Sequence, residues 1–177
     1  MKQFLLLNPE QASTEKVASY KTRFAARGVV TDAQGNIALL KVGKYNYYKL
    51  PGGGIDDGEG IHSALKRECL EETGCHIEID NKLGLIEEYR KMSELRQISY
   101  CCLAHVAGEK GQPDFCDDEL AENFSVIWVP IKEAICLLEN CSPTNKEGKD
   151  YIVPRDLCFL KNAVQALYTP PPEEGTP

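Results

Sequence analysis

Between Gly53 and Cys75 the chain reads GGIDDGEGIHSALKRECLEETGC, with Gly53, Glu59, Arg67, Glu68, Glu71, Glu72 and Gly74 at intervals that constrain local geometry tightly. At roughly 7% per position from average composition, seven such positions coincide by accident about once in 10^8 starting points. A helix turns about 100° per residue, so Glu71 lies about 60° to one side of Glu68 and Glu72 about 40° to the other. Three carboxylates therefore share one narrow arc. Like charges at these spacings cost an isolated helix roughly 0.2–0.5 kcal/mol per pair, and Arg67 alone cannot neutralise all three. A glutamate-rich face is ordinarily just solvated, but the fixed glycines and arginine point instead to a bound hard divalent cation, which takes oxygen ligands.

The flanks define the helix as about 61–73. Gly60 serves as N-cap, Glu59 places negative charge at the positive end, and Gly74 stops the helix in the left-handed conformation. Ile61, Leu65 and Cys69 recur at i,i+4 and form an apolar row beside the acidic arc. One side packs and its neighbour binds.

This stretch resembles the Nudix box, the metal-binding loop-helix-loop of the Nudix hydrolases. It departs only at Cys69 and Cys75, where the family usually carries an aliphatic residue, and a buried cysteine behaves as a small hydrophobe. YYKLPGG before the box and SVIWVPIKEA after it resemble the family's flanking strands and late helix. The resemblance implies Mg²⁺- or Mn²⁺-assisted attack of water on a diphosphate in a nucleoside diphosphate derivative. It makes Glu68 and Glu72 the main metal ligands, Glu71 a further or water-bridging ligand, and the Gly52 carbonyl a backbone ligand. Arg67 would orient the glutamates and Glu59 would tie helix to loop. Glu72, Glu119 and Glu122 are all candidates for the general base.

Substrate contacts are expected from Arg27 and Lys49, which could meet phosphate although exposed charge is the ordinary reading of both, and from Tyr47, which could stack on a base. Strand alternation sends Tyr47 and Tyr48 to opposite faces, so only one can do so. The proline that ADP-ribose hydrolases carry downstream of the box is missing, because none occurs between Pro51 and Pro113. Tyr89 lies in the region where dinucleoside polyphosphate hydrolases carry a tyrosine. A nucleoside triphosphate, including a damaged one, is the leading expectation. Dinucleoside polyphosphates, nucleotide sugars, a regulator that binds nucleotide without catalysis, and an isoprenoid diphosphate isomerase stand behind it.

Twenty basic against 27 acidic residues give a net charge of −7, which repels polyphosphate unless a cation is present. The same balance, with no basic stripe, argues against a nucleic-acid polymer. The expected partner is a small nucleotide, with a homodimer as the one protein assembly considered. MKQFLLLNPE is too short for a signal peptide or membrane span, which points to a cytoplasmic protein. Eight cysteines without a CxxC pair read as reduced thiols. His62, His76 and His105 lack zinc-ligand spacing.

Along the chain, RFAARGVV and IALLKV read as strands around a TDAQGN turn. YYKLPGG is a short strand into the glycine loop, and CHIEIDNKLGLIEEYRK and LRQISYCCLAHVAGE are strands joined by KMSE. GQPDFCDDELAEN is an acidic loop. FSVIWV is a strand, and Pro130 opens a helix whose Ile131, Ala134, Ile135 and Leu138 share a face. Residues 141–151 read as a polar loop. A last helix over 154–168 has Leu157, Leu160, Val164 and Leu167 at helical spacing. The pattern predicts a three-layer α/β/α sandwich with a mixed β-sheet, organised as an N-terminal extension (1–20) that forms an extra strand or short helix, one domain (21–169) and a disordered tail (170–177).

Overall fold

Strands with apolar residues on both faces must be covered on both sides, and that requirement sets the architecture. The computed structural model describes residues 1–168, so the tail expected over 170–177 lies outside the described residues. The strands are β1 (Gln3–Leu7), β2 (Lys21–Thr31), β3 (Asn36–Val42), β4 (Tyr47–Lys49), β5 (Ile77–Arg90), β6 (Leu95–Val106) and β7 (Phe124–Pro130). The helices are α1 (Thr14–Val17), α2 (Ile61–Thr73), α3 (Asp117–Ala121), α4 (Ile131–Asn140) and α5 (Val153–Tyr168). Strands β1-β5-β6-β2-β3-β4 lie side by side in that order, and β7 pairs β3. β1 runs parallel to β5 and β2 parallel to β6, while the other pairings are antiparallel. The sheet is therefore mixed, as predicted.

Adjacent residues feed different layers. Val29, Cys101, Leu39 and Ile86 pack under Ile131, Ala134 and Leu138 of α4 and Phe159, Leu160 and Ala163 of α5. Val30, Ala38, Cys102 and Ala104 pack under Ala64, Leu65 and Cys69 of α2. Cys101 and Cys102 thus enter opposite cores, and all eight cysteines are free thiols.

Residues 1–20, read as an extra strand or short helix, supply both: β1, at the sheet edge beside β5, and α1. Three local features differ from the sequence reading. The acidic loop contains α3, capped by Cys116 and Glu119. The expected loop over 141–151 ends in a π-helical turn, Gly148–Ile152, that runs into α5. On α5 the core face is Phe159, Leu160 and Ala163, whereas Leu167 is exposed. Among the described residues no helix is long and apolar enough to cross a membrane.

The turn between β2 and β3 is held by one buried carboxylate. Asp32 Oδ1 accepts from the Gln34 and Asn36 N–H groups at 2.9 and 2.7 Å, and Oδ2 accepts from Lys110 Nζ at 2.6 Å. Burial pushes this carboxyl up, but Lys110 and Asn36 outweigh that and hold it at about 2. A lowered folded-state pKa gives stability that is present above the ordinary aspartate range and lost as pH falls through the folded value. Asp32→Asn is expected to lower the melting temperature by about 4–8 °C at pH 7, equivalent to about 2 kcal/mol. The difference should fade between about pH 4 and pH 2. A deficit independent of pH in thermal melts would show that the charge is not what stabilises the turn.

Candidate active site

The site is built around four residues, Leu50 to Gly53, that run alongside β2 and lead into an isolated bridge between Gly54 and Ala25. Gly28 N–H donates to the Pro51 carbonyl at 3.0 Å, Ala26 N–H to the Gly53 carbonyl at 2.9 Å, and Ile55 N–H to the Phe24 carbonyl at 3.0 Å. The approach leaves no room for side chains. A Cβ on Gly52, whose φ is +126°, would sit 2.1 Å from the Ala26 carbonyl oxygen, and a Cβ on Gly53 would sit 2.2 Å from Glu68 Oε2. Among the described residues, no hydrogen bond ends on the Gly52 carbonyl between them.

Helix α2 forms as its boundaries predict, with Gly60 as N-cap and Gly74 at φ +68° as C-cap. Its buried Leu65 and Cys69 turn the acidic arc toward the glycine loop. Arg67 is the organiser: it makes two bonds to Glu59 at 3.2 and 3.0 Å, one to Glu68 Oε1 at 2.7 Å, one to Glu71 Oε2 at 3.4 Å and one to the Gly54 carbonyl at 3.1 Å. The hydrogen bonds to Glu59 chiefly, then those to Glu68, hold the Arg67 guanidinium well above its ordinary pKa, outweighing burial. The bond from Arg67 likewise pulls Glu59 down.

Glu72 is buried, and Lys49 Nζ donates to its Oε1 at 2.9 Å while Gly52 N–H donates to Oε2 at 2.6 Å. Burial raises its pKa, opposed by Lys49 and Gly52. Lys49, foreseen as a phosphate contact, is thus the partner of Glu72, and it also lies 4.9 Å over the Phe124 ring. Glu71 is half exposed and does not line the cavity that Glu68 and Glu72 share.

That cavity, of about 320 Å³, also brings in Arg27, Tyr47, Lys49, Glu119 and Glu122, so all the expected substrate contacts and base candidates meet there. Arg27 differs from its sequence reading most. It is buried rather than exposed, and among the described residues its Nε and Nη1 have no hydrogen-bond partner. Burial, and next the neighbouring Arg155, pull it down to about 10. Tyr47 is only 4% exposed, with its ring against Gly148, whereas Tyr48 joins the α4/α5 core, so the alternation holds. Glu119 accepts from Cys116 N–H at 2.9 Å in the α3 cap.

The floor contains residues that sequence reasoning missed. Arg155 donates to Asp156 Oδ1 at 2.7 Å and Glu88 Oε1 at 3.2 Å, Arg90 donates to Glu88 Oε2 at 2.8 and 2.6 Å and pairs with Glu147, and Arg23 donates to Gln97 Oε1 at 3.2 Å. The available signal was polar alternation at Arg23, Arg27, Gln97 and Ser99 within strands otherwise rich in apolar residues.

The oxygen donor set suits a hard divalent cation: the Glu68 and Glu72 carboxylates and the unpartnered Gly52 carbonyl, with Gly53 leaving the space Glu68 fills. Among the described residues, no three His, Cys, Asp or Glu stand ready-clustered for a metal. The box carboxylates instead rest on Arg67 and Lys49.

A mixed sheet between helical layers, with a glutamate helix set against a glycine loop, defines the Nudix class of α/β proteins. A sequence model of the NUDIX domain matches residues 21–153. The chain belongs to the Nudix family. It is 33% identical over 66 residues to a protein of Bacillus subtilis (strain 168) named "Putative 8-oxo-dGTP diphosphatase", covering 37% of this chain and 44% of that one. It is 26% identical over 133 residues to "Nucleoside diphosphate-linked moiety X motif 6" of Xenopus laevis, covering 73% of this chain and 58% of that one. The chain thus spans about half the length of these curated relatives. A solved NUDIX hydrolase from Nitrosomonas europaea superposes with a TM-score of 0.64 at 15% identity, covering 82% of this chain and 90% of that one, a likeness of fold.

Gly52→Ala is expected to cost about 3 kcal/mol or more, since backbone must move, and to lower the melting temperature by about 6–12 °C. Gly58→Ala, at φ +81° with open space around its Cβ, is expected to cost about 1 kcal/mol. Equal losses in thermal melts would remove the close approach to β2 as the reason for glycine at 52.

Proposed function

We propose that this chain is a metal-dependent pyrophosphohydrolase that cleaves a diphosphate linkage in a nucleoside diphosphate derivative, most readily a nucleoside triphosphate. The observation that carries the reading is the single cavity in which the Glu68 and Glu72 carboxylates face a buried guanidinium, Arg27, with unused donors. A buried cation without a partner is costly unless a ligand supplies one. The name of the Bacillus subtilis relative, "Putative 8-oxo-dGTP diphosphatase", supports a triphosphate as the substrate class.

Glu68, Glu72 and the Gly52 carbonyl would hold Mg²⁺ or Mn²⁺, with Glu71 reaching it through water. When bound, the ion neutralises charge on the phosphate oxygens and lowers the pKa of a water. Arg27 donates to a non-bridging phosphate oxygen, and Lys49, short of the Phe124 ring, is placed to serve a second. Arg67 holds Glu68 while Glu59 anchors Arg67 to the loop. Of the two loop carboxylates, Glu119 is committed to the α3 cap, so Glu122 is the freer to accept the proton of the attacking water; Glu72 is the alternative from the helix. Water adds to phosphorus, the P–O bond to the leaving phosphate breaks, and the nucleotide product departs. The basic groups are sunk in the floor rather than spread as a surface stripe, which favours a small nucleotide over a polymer.

With Mg²⁺, the purified protein is expected to release phosphate or pyrophosphate from at least one member of a panel of nucleoside triphosphates, dinucleoside polyphosphates and nucleotide sugars, and to release none with chelator. Glu68→Gln or Glu72→Gln should each lower turnover on the order of 10²-fold or more, with the Glu72→Gln melting temperature unchanged or slightly raised because a buried carboxylate is neutralised. Tight binding without turnover across the panel would mark a nucleotide-binding regulator instead. Arg27→Met separates function from folding. It is expected to raise KM about 10-fold or more, the loss of a charged hydrogen bond, while raising the melting temperature. A fall in melting temperature with unaltered KM would make Arg27 structural.

A further inference from the structure

Leu50 and Gly52 carry the only backbone N–H groups in the first three residues of the glycine loop, since Pro51 between them has none. Each is held by a carboxylate from a different helical layer. Gly52 N–H donates to Glu72 Oε2 of α2 at 2.6 Å, and Leu50 N–H donates to Asp156 Oδ2 of α5 at 2.9 Å. The loop is clamped from both sides of the sheet. Asp156 is completely buried, and its other oxygen accepts from Arg155 Nε at 2.7 Å. Arg155 Nη1 in turn donates to Glu88 Oε1 at 3.2 Å, and Glu88 is itself tied to Arg90. Asp156 therefore stands in a chain of fixed charges, with no rotamer freedom to follow the loop.

The two clamps are not equivalent. Glu72 is among the carboxylates read above as metal ligands, and an ion would draw it away from the Gly52 N–H. Asp156 has no such competing duty. It also lies beyond residue 153, where the match to the NUDIX domain ends.

We propose that Asp156, braced by Arg155, is a positioning residue for the metal-side loop: by holding the Leu50 N–H it fixes the direction of the Gly52 carbonyl two residues on. The inference rests on the reading of Glu68, Glu72 and Gly52 as a metal site. A one-residue hold is effective here because Pro51 locks one backbone dihedral between Leu50 and Gly52, and β2 fixes the carbonyls on either side. The α5 helix, distant from the glutamate motif in sequence, thereby sets the geometry of the glycine loop.

Two double variants isolate the contact. Arg155→Met/Asp156→Asn removes the charge pair but keeps an acceptor for Leu50 N–H, and Arg155→Met/Asp156→Leu removes both. Mn²⁺ affinity is read from the free-ion electron paramagnetic resonance signal, and amide hydrogen exchange at Gly52 is read in metal-free protein. The asparagine variant is expected to bind Mn²⁺ within about 3-fold of the unmodified protein and the leucine variant about 10-fold more weakly, at similar melting temperatures, with faster Gly52 exchange only in the latter. Equal Mn²⁺ affinity in the two variants, or equal Gly52 exchange, overturns the proposal. If the unmodified protein binds no Mn²⁺, the metal reading itself fails, while Gly52 exchange still decides whether the clamp exists. Should the leucine variant not fold, a backbone ester at Leu50, which deletes the donor without altering any side chain and weakens only the Lys49 carbonyl besides, makes the same comparison and is expected to give the same loss.

Discussion

Contact between the glycine loop and β2 is the constraint on which the site depends. A backbone segment can lie this close to a strand only where no Cβ intervenes, and Gly52 meets the Ala26 carbonyl on those terms. The alternate carbonyls of Pro51 and Gly53 then complete hydrogen bonds to β2, which leaves the Gly52 carbonyl unused. Helix α2 is oriented twice over, by Leu65 and Cys69 in the core beneath it and by Glu68 and Glu72 against the loop. Apolar burial alone fixes which face of a helix is inward but resists axial sliding weakly. The polar contacts to the loop define the register.

The floor shows how charge is buried without being wasted. Glu88, Arg90, Arg155 and Asp156 are all buried, and each is met by an opposite charge within hydrogen-bond reach. Burial drives the Arg155 guanidinium down, but Asp156 and Glu88 more than compensate and hold it above its ordinary pKa. Such networks contribute little net stability against an apolar core, yet removing one member costs about 3–5 kcal/mol because the rest are stranded. Their gain is definition of position. Arg27 sits among them as the exception, its Nε and Nη1 without hydrogen-bond partners among the described residues, and the proposed phosphate contact rests on that exception.

The glutamate helix was legible because its information is local: the i,i+3 and i,i+4 spacings, the capping glycines and the apolar row all act within one element. The two-sided strands were legible for the same reason, as Cys101 and Cys102 show by entering opposite cores. What escaped is non-local. Lys49 reads as a free cation until β4 is placed beside α2, and Arg27 reads as exposed because nothing in RFAARGVV tells which end of β2 the helices leave open. Asp156 looks like an ordinary first-turn acid of a helix, and only the packing of α5 against the sheet brings it to Leu50. QFLLL lacks alternation and so left strand and short helix open for the N-terminal segment, and the pairing of β1 with β5 is set by tertiary contact.

Charge balance within the cavity ties these features to the chemistry. Its lining includes Arg23, Arg27, Lys49, Arg90 and Arg155 on one side of the ledger and Glu68, Glu72, Glu119, Glu122 and Glu147 on the other. The local sum is zero in a chain whose net charge is −7. Arg90, Arg155 and Lys49 already serve carboxylates, whereas among the described residues Arg23 is bonded only to the neutral Gln97 and Arg27 leaves two buried donors unused. A polyphosphate brings several negative charges into this balance, far more than one guanidinium can offset in a low-dielectric pocket. On the function proposed above, uptake of such a substrate would demand further positive charge delivered with it, and the unengaged carbonyl at Gly52 beside the Glu68 and Glu72 carboxylates would supply the oxygen to receive it.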